Sequence, residues 1–129
     1  MTHFVWVPVA AVTVIHDRQI ARHGGASGLR DRALLEMGCA RAMNLSAYAD
    51  ASLVEVAAAY AFGIGKAHAF VDGNKRTAFV TAVTFLRLNG FTFGPDAIEG
   101  VRMMEGLASG DVSEAEFAKW LSVGMSPLE

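Results

Sequence analysis

From Leu53 to Gly65 the chain is apolar almost all the way round a helical wheel, broken only by Glu55. A helix of that kind belongs at the centre of a domain. Before it, the pattern predicts a short extended lead-in at Phe4–Val7 and a helix from about Val9 to His23, ended by Gly24-Gly25. A loop through Ser27-Gly28 leads to a second helix over Asp31–Ala42, with Asp31 near its positive end. Met43–Asp50 reads as a loop, because Asn44, Ser46 and Asp50 are turn formers. The central helix is expected over Ser52–Ala67. After a polar loop, another starts at about Asn74 and runs to Leu88, stopping at Asn89-Gly90. Two more helices follow, Pro95–Leu107 and Ser113–Val123, the second opened by a Ser113/Glu116 capping box. Strand evidence is confined to Phe91-Thr92-Phe93 and the amino terminus. The expected architecture is all-α, a compact single-domain bundle of about six helices over residues 1–129.

Composition narrows the class. Hydrophobic residues make up 53% and charged residues 19% of 129, which excludes disorder and suits one heavily buried core. A net charge of −2 provides no basic field for nucleic acid or membrane, so no direct binding to either is expected. Phe4–Ile15 is apolar but lacks a basic leading segment and contains Pro8. It also falls short of the ~18 residues that a spanning helix needs. Cys39 is alone and is expected as a small core residue in a reducing, cytoplasmic compartment. Met37, Met43, Met103 and Met104 are expected as gap-filling core.

Chemistry concentrates in His68-Ala69-Phe70-Val71-Asp72-Gly73-Asn74-Lys75-Arg76, between two apolar helices. Packing alone gives no reason to place so many charges there. A helix N-terminus presents unpaired N–H groups that bind phosphate, and Gly73 lets the backbone turn tightly beside an anion. Lys75 and Arg76 add cations suited to phosphate oxygens. Asp72 is the nearby carboxylate, the natural holder of Mg²⁺ in a phosphate site. His68 can accept a proton from a hydroxyl near neutral pH. Asn74 can fix either a loop carbonyl or the phosphate chain, and Phe70 is expected to point into the core. Other motifs fail. Gly63-Ile64-Gly65-Lys66 lacks the rest of a P-loop, and His16 and His23 have no glutamate placed for zinc.

The residues His68, Phe70, Asp72, Gly73, Asn74 and Arg76 match H-x-F-x-D/E-G-N-x-R, and here the chain resembles the Fic/Doc family. Ile15-His16-Asp17, Gly24-Gly25, Gly28-Leu29-Arg30-Asp31 with Leu34-Leu35, and Phe85–Gly90 extend the resemblance, closest to death-on-curing (Doc) toxins. Lys75 stands where nucleotidyl-transferring Fic enzymes have glycine, and Phe79 where they have a second arginine, as in the Doc branch. The resemblance implies a toxin that transfers the γ-phosphate of ATP to a threonine of elongation factor Tu and arrests translation. It further implies His68 as base, Asp72 as Mg²⁺ ligand, and Asn74, Lys75 and Arg76 as phosphate holders. Lys66 is a further phosphate contact, and Met43–Asp50 matches the segment on which Fic enzymes present targets. In self-inhibited Fic proteins a serine or threonine precedes a glutamate by four residues. Here Glu99-Gly100 has Pro95 at that position, so the resemblance implies a separate antitoxin whose helix docks in a hydrophobic groove. The alternatives are Fic-type AMPylation of a protein hydroxyl, and a helical binding module with a degenerate site.

Overall fold

A computed structural model describes residues 3–129 and contains, among them, six α-helices and a two-stranded sheet. Helix α3 (Leu53–Ala67) is the axis of the fold: from Val56 to Gly65 every residue except Phe62 is buried. Around it lie α2 (Arg32–Tyr48), α4 (Asn74–Leu88), α5 (Ala97–Ser109) and α6 (Glu114–Gly124), with α1 (Val9–His23) against α4. Alanines and glycines on α3 let neighbours approach closely. At the crossing with α2, a Cβ added to Gly38 would lie 2.7 Å from the Gly63 carbonyl oxygen. Larger side chains fill the space beyond, where Trp6, Tyr60 and Phe85 form an aromatic cluster with centroids 5.1–6.4 Å apart. Burying each such ring contributes ~1.5–3 kcal/mol.

The all-α expectation holds, with shifts at helix ends that follow from capping. Asp31 precedes α2 as its cap and accepts from the Leu34 N–H at 3.1 Å. Asp96 does the same for α5 through Glu99, so that helix begins at Ala97 rather than Pro95. Ser113 and Glu116 form the expected capping box. Glu55 does not interrupt α3. It closes a second capping box with Ser52 and is held below the usual carboxylate range by the Ser52 backbone and side-chain hydrogen bonds.

Two expectations are overturned, and one expected strand gains a partner. Met43–Asp50 is not a loop: α2 continues to Tyr48, leaving only residues 49–52 as the link, so no separate presenting segment exists between α2 and α3. The cause is burial. Leu45 continues the stripe of Leu35, Cys39 and Ala42 onto the core, which outweighs the turn preference of Asn44 and Ser46. Among the methionines, Met104 is core, but Met37 and Met43 are 69% and 51% exposed. Phe91–Phe93 (β1) finds an unanticipated antiparallel partner in Met125–Pro127 (β2), with Thr92 opposite Ser126. The lead-in at Phe4–Val7 joins neither helix nor sheet. Val5 is held by the Asn89 amide and Val7 by the Tyr60 hydroxyl. No helix among the described residues is long and apolar enough to cross a membrane.

Candidate active site

The motif occupies the link between the buried helices α3 and α4. Helix α3 ends at His68, which adopts left-handed backbone angles (φ 48°, ψ 42°) and is the only described non-glycine residue with positive φ. For an L-residue that conformation costs ~1–2 kcal/mol, so the surroundings must hold it. The chain then runs extended, with Leu29 and Phe70 forming an antiparallel bridge. Arg30 and Asp31 both donate from their backbone N–H to the Ala69 carbonyl, at 2.7 and 3.0 Å, and Val71 N–H donates to Gly28 at 3.1 Å. Phe70 is buried, as expected, and its ring lies flat against the buried His16 imidazole.

Asp72 and Gly73 complete the turn. One Asp72 oxygen accepts from the Gly73 N–H at 2.8 Å and the other from the Ala26 N–H at 3.3 Å. Gly25 passes so close that a Cβ there would lie 2.7 Å from Oδ2, and its φ of 112° favours glycine in any case. Gly73 (φ 75°) precedes α4 without capping it. Helices α2, α3, α5 and α6 all begin on a side-chain cap, whereas α1 and α4 have none and carry no acidic residue in the first turn. In α4 the first intrahelical donor is Thr77, bonded to Gly73, so the N–H groups of Asn74, Lys75 and Arg76 have no partner among the described residues at the helix end. That end carries partial positive charge and two cations, neither engaged in an ion pair among the described residues.

Of the two roles open to Asn74, the structure shows the first. Its amide oxygen accepts from the Phe70 N–H at 3.0 Å, and its nitrogen donates to the Phe70 carbonyl at 2.9 Å. His68 is exposed, and its ring makes no hydrogen bond among the described residues. Arg76 faces a cavity of about 460 Å³ lined also by His23, Ile98, Val101, Arg102 and Glu105. Beside it α5 packs directly on α4: Gly100 lies where a Cβ would strike the Phe79 ring. Glu99 accepts from the Trp120 indole at 2.7 Å.

Lys66 lies apart from this end. Its ammonium donates to the Ala108 carbonyl at 2.8 Å and lines a groove of about 600 Å³ between α2 and α3, with Met37, Arg41, Leu45, Tyr48 and Phe62. Arg41 pairs with Glu114 beside it. The structure thus gathers His68, Asp72, Gly73, Asn74, Lys75 and Arg76 in one loop and helix start, and sets Lys66 in the groove. Sequence reasoning gave no role to the residues that hold this loop from outside: His16, Gly25, Ala26 and Arg30. His16, Gly25 and Arg30 were marked only by the family resemblance, and a histidine four residues after Val12, on the buried face of α1, was a further signal.

A family profile described as the Fic/DOC family matches residues 6–86, from the amino-terminal lead-in to the last turn of α4. The chain belongs to the Fic/Doc family. Among Fic/Doc relatives it is similar to "Protein kinase doc" of Escherichia phage P1, at 36% identity over 108 residues, covering 83% of this chain and 85% of the relative. It is also similar to "Toxin Doc" of Mycolicibacterium smegmatis, at 41% identity over 75 residues, covering 57% of this chain and 58% of that one. The segment shared with the family holds both the motif loop and the elements that clamp it. The Fic/Doc resemblance read from the sequence is therefore borne out.

Proposed function

We propose that this protein is the toxin of a toxin–antitoxin pair and transfers the γ-phosphate of ATP to a hydroxyl of a protein target, with elongation factor Tu the expected target. The observation that carries the reading is the start of α4, which has no side-chain cap and, among the described residues, three N–H groups without partners, with Lys75 and Arg76 in its first turn and His68 and Asp72 in the loop that leads into it. The similarity to relatives named as a kinase and a toxin supports the choice of reaction. Since ATP and the translation machinery are its substrates, the cytoplasm is the proposed location.

In this mechanism the target hydroxyl oxygen attacks the γ-phosphorus while the His68 imidazole takes its proton. The bond to the β,γ-bridging oxygen breaks, ADP leaves, and the proton passes from His68 to solvent. The helix-end N–H groups, Lys75 and Arg76 hold the phosphates and meet the charge that builds on them. Asp72 fits a Mg²⁺ ion: it is one carboxylate whose oxygens each retain lone pairs beyond a single backbone contact. When bound, the ion neutralises charge on the phosphate oxygens. Lys75 at the second position of α4 favours the kinase reading over AMPylation, because its side chain narrows the space that nucleotidyl transfer requires.

The partner proposed is an antitoxin whose disordered segment folds as a helix into the groove between α2 and α3. The groove is lined chiefly by apolar side chains, and Met37 and Tyr48 on its rim are 69% and 89% exposed. Recovery of the active protein alone, at high level, from a host that tolerates it would contradict the antitoxin.

The reaction is tested with ATP labelled at the α or the γ position, incubated with protein and cell extract. Label entering protein from the γ position alone is expected, and label from the α position alone would establish AMPylation instead. Growth inhibition on expression should disappear in His68→Ala. Inhibition undiminished by that change would leave the helical binding module as the better account.

A further inference from the structure

We infer that Arg30, outside the motif, is a positioning residue that fixes the backbone of His68 for the reaction proposed above. Its guanidinium Nη2 donates to the His68 carbonyl at 2.6 Å, while its own backbone N–H donates to the next carbonyl, Ala69, at 2.7 Å. One residue thus grips two consecutive carbonyls at the point where α3 ends. No backbone N–H bonds to the His68 carbonyl, so Arg30 is its only partner among the described residues.

The grip matters because His68 carries the one left-handed non-glycine backbone in the described chain. Glycine would adopt it freely, but glycine has no imidazole. A residue that must be histidine for its chemistry and left-handed for its direction needs an external restraint. Arg30 is well anchored to supply it. The following residue, Asp31, caps α2 and bonds the same Ala69 carbonyl, so the guanidinium reaches His68 from the fixed start of a helix. Lysine could reach the carbonyl with one donor but lacks the planar fork that sets the angle. Among the described residues Arg30 makes no hydrogen bond or ion pair to the α4 start and does not line the cavity beside Arg76, so nucleotide affinity should not depend on it.

The inference rests on His68 acting as the base, and the experiment separates the two. Wild type, Arg30→Ala and Arg30→Lys are compared for γ-label transfer from ATP into cell-extract protein. The His68 backbone is followed in parallel by its three-bond HN–Hα coupling and carbon shifts, which report the sign of φ. In Arg30→Ala, kcat should fall about 10- to 100-fold with KM for ATP within about twofold. Arg30→Lys should recover part of the loss, and added guanidinium ion at non-denaturing concentration should partly restore Arg30→Ala. The His68 shifts should move away from left-handed values in Arg30→Ala, with helical circular dichroism unchanged. An unchanged His68 backbone in Arg30→Ala overturns the inference whatever the rate does, as does a displaced backbone with an unchanged rate. If wild type transfers no label, the proposed reaction fails, and the His68 shifts alone then decide whether Arg30 holds that backbone. If Arg30→Ala fails to fold, Arg30→Lys carries the same comparison.

Discussion

The His16 imidazole lies on the Phe70 ring at a centroid distance of 3.8 Å and an interplanar angle of 8°, and its Nε2 sits 2.7 Å from the Asp72 carbonyl oxygen. A carbonyl only accepts, so Nε2 carries the proton and His16 is the donor. One buried side chain of α1 therefore holds both the anchor of the motif loop and the backbone of its carboxylate residue. His16→Phe should keep the stack and lose the hydrogen bond, at a cost of ~0.5–1.5 kcal/mol. His16→Ala should lose both and cost ~2–4 kcal/mol once the cavity is included. Urea unfolding of the two variants measures the difference. Equal losses would mean that the stacked ring contributes nothing.

Asn74 makes a different demand on the same loop. Because its amide is engaged at both ends by the Phe70 peptide, its first duty is to hold the turn. Asn74→Ala should destabilise by ~1–2 kcal/mol and speed hydrogen exchange at the Phe70 amide. Asn74→Asp keeps the acceptor for that amide but not the donor for the Phe70 carbonyl, so protection at Phe70 should survive while stability still falls. Loss of protection in both variants would show that the loop depends on something other than this pair.

The crossing of α2 and α3 offers a test in which two effects have opposite signs. Alanine is a better helix former than glycine by ~1 kcal/mol, so Gly63→Ala would stabilise an unconstrained helix. Here Gly38 and Gly63 bring backbone onto backbone, and neither carbonyl can swing aside as a side chain could. Overpacking of ~1–3 kcal/mol or more should win. Gly63→Ala and Gly38→Ala are therefore expected to lower the urea midpoint. A raised midpoint in either would mean that the helices separate without penalty.

Much of this molecule was legible in residue order, and the exceptions have physical causes. The run from Leu53 to Gly65 announced a central helix because its apolar positions leave no polar face. The motif loop was legible because His68, Asp72, Lys75 and Arg76 fall within nine residues. The end of α2 was not, since Leu45 reaches the core only once α3 is in place, and no local signal outweighs Asn44 and Ser46. β2 is three residues long and contains Pro127, so only its pairing with β1 reveals it. Arg30 and His16 act on the loop across 38 and 56 residues, a relation carried by the fold rather than by spacing. Lys66 adds a contact that residue order does not show. The resemblance implied a phosphate contact for Lys66, and what the fold adds is that its ammonium donates to the Ala108 carbonyl.

Alkaline pH should expose a weakness next to this framework. Burial, with a smaller contribution from the Glu36 charge, raises the Cys39 thiol from an ordinary 9.0 to about 11. Burial also raises the Tyr60 phenol, opposed by its hydrogen bond to Val7 and helped by Cys39. Both folded values lie above the unfolded ones, so between them the unfolded chain binds fewer protons than the folded chain. Stability is then fully present below about pH 9 and is lost as pH rises toward about 11. Denaturant midpoints taken across that interval should fall in wild type and fall less steeply in Cys39→Ala, with the residual slope assigned to Tyr60 and reduced further by Tyr60→Phe. Native protein near pH 8 should correspondingly react slowly with iodoacetamide, because the thiolate is the nucleophile and both burial and the raised pKa withhold it. An alkaline slope identical in wild type and Cys39→Ala, or prompt alkylation of the folded protein, would show that the thiol is not held in its neutral form between α2 and the core.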